Sequence, residues 1–305
     1  MLSGTGRHFS SQRILYLGLG EMGYRIAGTL SKHFPVTVWN RTNQKALDHS
    51  QQFGTKALEG PNPFEHDVSD VDFIMSCLPT SQEVSQFAEY LVASPQSIKQ
   101  SAVWIDNTSG VPQTSVAIAE RLKTKGVDFM DAPVSGGRKG AEAATLTIMV
   151  GATNQVYQKC LPVLQTMGKN ISHIDEKVGA GHAVKGLNNL LYGCNIIMAM
   201  KVTQALEKHG ISPDRALKAM MTSSGGSNCM TRIHEYVTHD RTIDYSFKAS
   251  ALIKDMDIGL SMLDKRNDQD ESVEMFNKVR DLWFQMATEK DWKDAEVFDA
   301  YPFIE

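Results

Sequence analysis

Ile14-Leu15-Tyr16-Leu17-Gly18-Leu19-Gly20-Glu21-Met22-Gly23-Tyr24-Arg25-Ile26-Ala27 decides how this chain is read. Four β-prone apolar residues run into three glycines spaced G-x-G-x-x-G, and a helical stretch follows. Three glycines alone would fit any glycine-rich turn. Between a strand and a helix they acquire separate tasks. Gly18 permits a tight turn. Gly20 leaves no side chain where a pyrophosphate must approach. Gly23 lets the helix pack closely on the strand. The first N–H groups of the helix and its positive end then face an anion.

Working outward, short β-rich runs alternate with helical stretches. Strands are predicted at Arg13–Leu17, Val36–Trp39, Val71–Leu78, Ala102–Ile105, Phe129–Met130, Leu146–Val150 and Ile171–Ile174. Helices are predicted at Met22–His33, Ala46–Phe53 and Ser81–Val92, with more between the later strands. Such alternation predicts a largely parallel sheet covered on both faces. After about Lys177 no convincing strand remains. His182–His209 reads as one long helix, apolar on nearly all sides and so expected to be buried on all sides. Ser212-Pro213-Asp214 starts the next helix, and Phe247–Lys265 and Ser272–Glu289 read as two more. The expected fold class is α/β. A doubly wound parallel sheet of Rossmann type (residues 13–177) follows a tail (1–12) and precedes an all-α domain with a long spine helix (178–305).

At the end of the second strand stands Asn40-Arg41-Thr42. Sites that prefer NAD usually place an acid here for the ribose 2′-hydroxyl. Asn40 carries no charge and Arg41 adds a positive one, with a fork of donors suited to a 2′-phosphate. NADP(H) is therefore expected over NAD(H), with Lys45 as a possible extra charge; the bland alternative is a solvated arginine at a strand end.

Three segments fall just past strand ends, where such sheets bind ligands. Leu78-Pro79 reads as a turn beneath the cofactor, Thr108 and Ser109 offer hydroxyls, and Ser135-Gly136-Gly137 offers a hydroxyl with exposed N–H groups for a carboxylate. A fourth, Gly179 to Asn189, opens the long helix with Lys185, Asn188 and Asn189 at spacings that share one face. A lysine in an otherwise apolar helix needs a reason. One reason is proton transfer, since a carbonyl that receives hydride must also receive a proton. The other is a stem that snorkels from the helix end.

Composition closes off several classes. The net charge of -4 shows no basic stripe for nucleic acid or an anionic membrane, and the 42% apolar and 22% charged content is that of a globular chain. Cys77, Cys160, Cys194 and Cys229 show no zinc or C-x-x-C spacing, so no metal is expected, and the thiols suit a reducing compartment. The longest apolar run, about Leu190–Met200, is too short to span a membrane. Cytoplasmic residence is expected. The first twelve residues, with Arg7, several serines and no acid, leave a short mitochondrial presequence or a plain tail open.

The glycine loop, Asp131-Ala132-Pro133-Val134-Ser135-Gly136-Gly137, Gly181 to Asn189 and Lys254-Asp255-Met256-Asp257 together resemble the β-hydroxyacid dehydrogenases in order and spacing. That family includes 3-hydroxyisobutyrate dehydrogenase, tartronate semialdehyde reductase and the NADP-dependent glyoxylate/succinic semialdehyde reductases, whose branch Asn40-Arg41-Thr42 most resembles. The likeness spans Arg13 to the last helix. It implies an oxidoreductase acting on the CH–OH group of a small carboxylate substrate. Lys185 would be its acid–base, assisted by Asn189. Ser135, Gly136 and Gly137 would hold the carboxylate, with Thr108 beside the nicotinamide. The cofactor would be held by Gly18, Gly20, Glu21, Met22, Gly23, Asn40, Arg41, Thr42, Leu78 and Pro79, with Lys254 closing over it. It also implies a homodimer or homotetramer with interlocked long helices, which the Leu190–Met200 stretch suits. 6-Phosphogluconate dehydrogenase shares Gly179-Ala180-Gly181-His182 and Lys185, but has a much longer C-terminal part and a histidine where this chain has Asn188. Imine reductases usually lack the lysine. A non-catalytic NADP-binding scaffold, or a reductase of another carbonyl or imine, stands as the alternative. One departure is Ala144, where the family usually has glycine; an effect on local packing is expected.

Overall fold

A computed structural model of the chain describes residues 11–95, 98–239, 241, 247–263, 270–289 and 295–304. Most of the segment read above as a tail or presequence therefore lies outside the described residues. The chain forms two compact units, divided between Lys185 and Gly186.

In the first unit β1 (Ile14–Leu17), α1 (Glu21–Leu30), β2 (Val36–Trp39), α2 (Asn43–Phe53) and β3 (Lys56–Leu58) make the first half of the sheet. β4 (Phe73–Ser76), α3 (Ser81–Ala93), β5 (Val103–Asp106), α4 (Pro112–Lys123) and β6 (Asp128–Asp131) make the second. These six strands are parallel and ordered β3-β2-β1-β4-β5-β6. The order reverses between β1 and β4, which opens a crevice at their C-terminal ends. β1, β4 and β5 are buried at every residue, as a sheet covered on both faces requires. Alternation then sorts the side chains. Ile14, Tyr16, Phe73, Met75, Val103 and Ile105 pack with Ile26 and Leu30 of α1 on one face. Leu15, Leu17, Ile74 and Trp104 pack with Phe87, Leu91, Ile118 and Leu122 of α3 and α4 on the other.

The sheet continues with β7 (Val134–Ser135), α5 (Gly137–Glu142), β8 (Leu146–Gly151), α6 (Asn154–Gln165) and β9 (Gly168–Asp175). β8 runs antiparallel to β6 and β7 and parallel to β9, so the parallel expectation fails at this edge. The cause is the connection: part of the link from β6 to β8 forms β7, which pairs back on β8, and the six-residue α5 that remains is too short to cross the sheet as a parallel return requires. β3 and β7, of three and two residues, were not predicted.

α7 (Ala180–Lys208) begins in the first unit and supplies the second unit's central helix. α8 (Pro213–Met221), α9 (Asn228–Thr238), α10 (Ala249–Ser261), α11 (Glu271–Glu289) and a 3-10 segment, Val297–Phe303, surround the core of Leu190, Ile196, Met200, Met256, Trp283 and Phe298. α9 was not predicted, although Ser227 caps it by accepting from Met230 N–H. Beyond α7 the described residues hold one isolated bridge, Lys248 with Glu296, and no strand. α7 and α10 approach backbone to backbone. A Cβ on Gly259 would lie 2.6 Å from Gly186 O, and one on Gly193 would lie 2.5 Å from Met256 Sδ. Trp283 Nε1–H donates to Gly193 O at 3.1 Å inside this seam.

Within a single chain α7 is buried on part of its surface. Leu190, Ile196, Ile197 and Met200 are buried, whereas Leu187, Leu191 and Met198 are 41%, 54% and 49% exposed. The four cysteines form no disulfide, and burial pushes the Cys160 thiol up to about 12.

Ala144 is a matter of backbone rather than packing. Thr145 N–H donates to Gly140 O and Ala144 N–H to Ala141 O, closing α5 in a Schellman turn whose left-handed residue is Ala144, φ +57°. A Cβ is disfavoured there by about 1–2 kcal/mol, against the extra chain entropy that glycine loses on folding, about 0.5–1 kcal/mol. Ala144→Gly is expected to stabilise the protein by up to about 1 kcal/mol, read as a higher urea midpoint at unchanged slope.

Candidate active site

The phosphate turn is built by backbones in contact. Gly18 has φ +95° and a Cβ on it would lie 2.4 Å from Cys77 O. A Cβ on Gly23 would lie 2.1 Å from Gly18 O and 3.3 Å from Cys77 Cβ. Gly18 N–H donates to Trp39 O at 2.9 Å. A Cβ on Gly20 would meet nothing within 4 Å, so this residue faces open space. Gly20 is the N-cap of α1, and Glu21, Met22 and Gly23 supply the first-turn N–H groups that a helix itself leaves without acceptors. A close backbone turn with room above its middle glycine fits a diphosphate.

Asn40 is turned inward. Its Oδ1 accepts Leu19 N–H at 2.8 Å and its Nδ2–H donates to Thr42 O at 3.0 Å. It thus braces the glycine turn, a role that sequence position alone did not indicate. Arg41 and Thr42 are exposed at the head of α2, and neither Arg41 nor Lys45 forms an ion pair among the described residues. The Glu21 carboxylate is shared by Arg25 at 3.2 Å and Arg138 at 2.7 Å, and Arg25 also reaches Glu142 at 2.7 Å. Arg138 is therefore a tie between α5 and the head of α1.

Leu78 and Pro79 lie between β4 and the capping box of α3, where Thr80 Oγ1 accepts Gln82 N–H and Glu83 accepts Thr80 N–H. Thr108 is fully buried, and its Oγ1 accepts Leu78 N–H at 3.0 Å. It joins the turn after β5 to the turn after β4. Ser135 is half-buried in β7, while Gly136 at φ +134° and Gly137 at φ +63° use backbone forms that favour glycine.

Beneath these turns lies a buried polar network that the sequence reading missed. Trp104 Nε1–H donates to Ser76 Oγ, which donates to Asp106 Oδ1, each at 2.8 Å. Thr108 N–H also donates to Asp106 Oδ1, at 3.1 Å. Asp106 Oδ2 lies 3.8 Å from His182 Nε2, and His182 Nδ1 is 2.7 Å from Ser115 Oγ. Asp131 holds the head of α7, its Oδ1 accepting Gly179 N–H at 2.6 Å and its Oδ2 accepting His182 N–H at 2.8 Å. Burial pushes the Asp131 carboxyl up, while His182 and the two N–H donors pull it back down. Burial likewise pushes the Tyr16 phenol well up, with Cys77 and Asp106 adding to it. A carboxylate ending an apolar strand, as Asp106 and Asp131 do, was the available signal.

Lys185 lies in the next turn of α7 after His182 and is 8% exposed. In the second unit Asn189 is buried, its Nδ2–H donating to Asp255 Oδ2 at 2.5 Å and its Oδ1 accepting from Asn188 Nδ2–H at 3.0 Å. Asp255 is also buried, and Lys254 lies 3.1 Å from its Oδ1. Asp255 stands in the run Lys254-Asp255-Met256-Asp257, where nothing local marks its bond to Asn189. Among the described residues no His, Cys, Asp and Glu groups gather as a metal site, and no helix is long and apolar enough to cross a membrane.

Fold and turn define a dinucleotide-binding protein of the Rossmann class. Residues 13–175 match the family model of the NAD binding domain of 6-phosphogluconate dehydrogenase. Residues 179–302 match that of the NAD-binding domain of NADP-dependent 3-hydroxyisobutyrate dehydrogenase. The chain is 36% identical to 2-(hydroxymethyl)glutarate dehydrogenase of Eubacterium barkeri over 72% of each protein. It is 31% identical to 3-hydroxyisobutyrate dehydrogenase of Pseudomonas aeruginosa over 70% of each. The solved structure of Mycobacterium tuberculosis 3-hydroxyisobutyrate dehydrogenase with L-serine superposes with a TM-score of 0.81 at 22% identity, covering 96% of this chain and 99% of that one. The chain belongs to the β-hydroxyacid dehydrogenase family and is an oxidoreductase that uses a nicotinamide cofactor.

Proposed function

We propose that the protein interconverts a short aldehyde acid and its hydroxy acid with NADP(H), and that Lys185 is the acid–base group. The observation that carries this reading is the burial of Lys185 in a chain that also holds the phosphate turn. An ammonium is rarely kept out of water without a task.

The nicotinamide supplies or takes up the hydride at the carbonyl carbon. Lys185 holds the proton that the carbonyl oxygen must gain, and its charge stabilises that oxygen as electrons move onto it. Asn189, fixed by Asp255, orients the reacting oxygen. Ser135, Gly136 and Gly137 take the carboxylate, Thr108 supports the turn beside the nicotinamide, and Lys254 covers the cofactor. The Gly18–Gly23 turn, with Glu21 and Met22, holds the diphosphate through N–H groups, and Leu78 and Pro79 pass beneath it. Arg41 and Thr42 take the 2′-phosphate, and Asn40 contributes through the turn it braces.

Oxidation of NADPH is to be followed with glyoxylate, succinic semialdehyde, tartronate semialdehyde and methylmalonate semialdehyde. Reduction of NADP is to be followed with 2-(hydroxymethyl)glutarate, which the relative's name suggests. At least one substrate is expected to turn over. Lys185→Ala is expected to lose about 100-fold or more in kcat, the scale of a positioned general acid; a variant as fast as wild type removes the proposed acid. Arg41→Ala is expected to raise KM for NADPH about 10- to 100-fold and leave KM for NADH nearly unchanged, the worth of a charge-assisted hydrogen bond. Equal effects on both cofactors would refute the assigned role of Arg41.

The exposed apolar side of α7 is covered, in this reading, by a second copy of the chain. No charged residue occurs between Gly186 and Met200, and a row of exposed Leu187, Leu191 and Met198 marks an interface more often than a water-facing surface. Sedimentation of wild type is expected to give a dimer or tetramer, and Leu191→Asp is expected to weaken it at least tenfold. A monomeric wild type at micromolar concentration would exclude this assembly.

A further inference from the structure

We infer that His182 is a positioning residue for Lys185, acting through a buried clamp that also holds the turn bearing Thr108. The inference rests on the reading of Lys185 as the acid–base group. His182 touches neither surface nor solvent, with a side chain at 0% exposure. Three neighbours fix its ring. Ser115 Oγ of α4 lies 2.7 Å from Nδ1. Gly110 lies flat against the ring, so that a Cβ there would stand 2.7 Å from Cε1 and 2.9 Å from Nδ1. Asp106 Oδ2 faces Nε2 at 3.8 Å. Ser115 Oγ also lies 3.2 Å from Val111 O, so its one proton goes to that carbonyl or to Nδ1 according to the tautomer of the ring.

The backbone of the same residue is held as firmly, its N–H donating to Asp131 Oδ2 at 2.8 Å. Main chain and side chain of one residue are thereby pinned to two different strands and to α4. Residues three apart are neighbours on a helix surface, so the rotation of this turn sets where the stem of Lys185 starts. The partners of the ring lead back to the ligand edge. Asp106 Oδ1 accepts Thr108 N–H, Thr108 Oγ1 accepts Leu78 N–H, and Val111 N–H donates to Ser81 Oγ at 2.7 Å. The clamp therefore fixes the acid's helix and the Leu78 and Thr108 turns in one frame. His182 Nε2 meets no hydrogen-bond acceptor within reach among the described residues. Burying such an atom is costly, and leucine or phenylalanine would fill the space without that cost. A polar ring at this point is explained by position rather than by stability.

The test compares His182→Ala, His182→Asn and Ser115→Ala with wild type in the intact protein. Asparagine places an amide near the site of Nδ1 and keeps the bond to Ser115. For His182→Ala we expect kcat to fall about 10- to 100-fold, the effect of a small displacement of a reacting group, with KM for NADPH within about threefold of wild type, a window far narrower than that fall. His182→Asn is expected to recover most of that loss. The second readout needs no turnover. The Cε and Nζ signals of Lys185, assigned through Lys185→Arg in isotope-labelled protein, are expected to shift in His182→Ala and return toward wild type in His182→Asn. Should His182→Ala unfold, Ser115→Ala deletes one hydroxyl and carries the same comparison. A wild type that turns over no substrate defeats the proposed function, and the Lys185 signals then still decide the clamp. Unmoved Lys185 signals, or a loss confined to cofactor binding, overturn the inference.

Discussion

The two N–H groups that Gly179 and His182 donate to the Asp131 carboxylate are the constraint on which the rest of the site depends. A helix begins with N–H groups that its own backbone leaves without acceptors. Here an acid at the end of a buried strand supplies acceptors and a negative charge to complement the helix dipole. The head of a 29-residue helix is thus tied to the sheet edge before its central, apolar part begins. Close fit reinforces the tie. A Cβ on Gly181 would lie 2.2 Å from Met149 O and 2.9 Å from Asp131 Oδ2, so the first turn of α7 rests directly on β8. The lysine with the proposed chemistry stands within the span that this arrangement orders.

Local patterns carry the fold. The run Ile14–Leu17 and the glycines after it identify the strand, the turn and the start of α1 from sequence alone. Long periodic elements such as α3 and α11 are legible for the same reason. The short pieces were not. β3 and β7 hold three and two residues and exist because a neighbouring strand offers its edge, which no local period records. The antiparallel placement of β8 likewise follows from its pairing with the two-residue β7, which shows only once the sheet order is known. The exposed side of α7 has a related cause: composition reports that a face is apolar without saying what covers it.

In the site, the residues proposed to react and to bind drew notice in the sequence, and their supports did not. Lys185 and Asn189 draw notice because they are polar in an apolar helix. Asp106, Asp131, Ser115, His182 and Asp255 act through partners far away in sequence, as with Asp106 and Ser76, 30 apart, or Asn189 and Asp255, 66 apart. Their meaning appears when strands are placed side by side. Asn40 shows the same limit: its position indicates the ribose side of a cofactor, but its amide is spent on Leu19 N–H. Arg41 then remains as the charge presented at that strand end.

The glycine turn has a mechanical consequence. Gly23 rests on the carbonyl of Gly18, and Gly18 rests on the carbonyl of Cys77. Three main chains are stacked with no side chain between them to rotate and take up slack. Peptide planes and bond angles are stiff, whereas rotamers yield at small cost. A shift of β4 is therefore passed to α1 nearly undiminished. The turn works as a rigid gauge block, setting the distance between two elements and leaving adaptation to the loops around it.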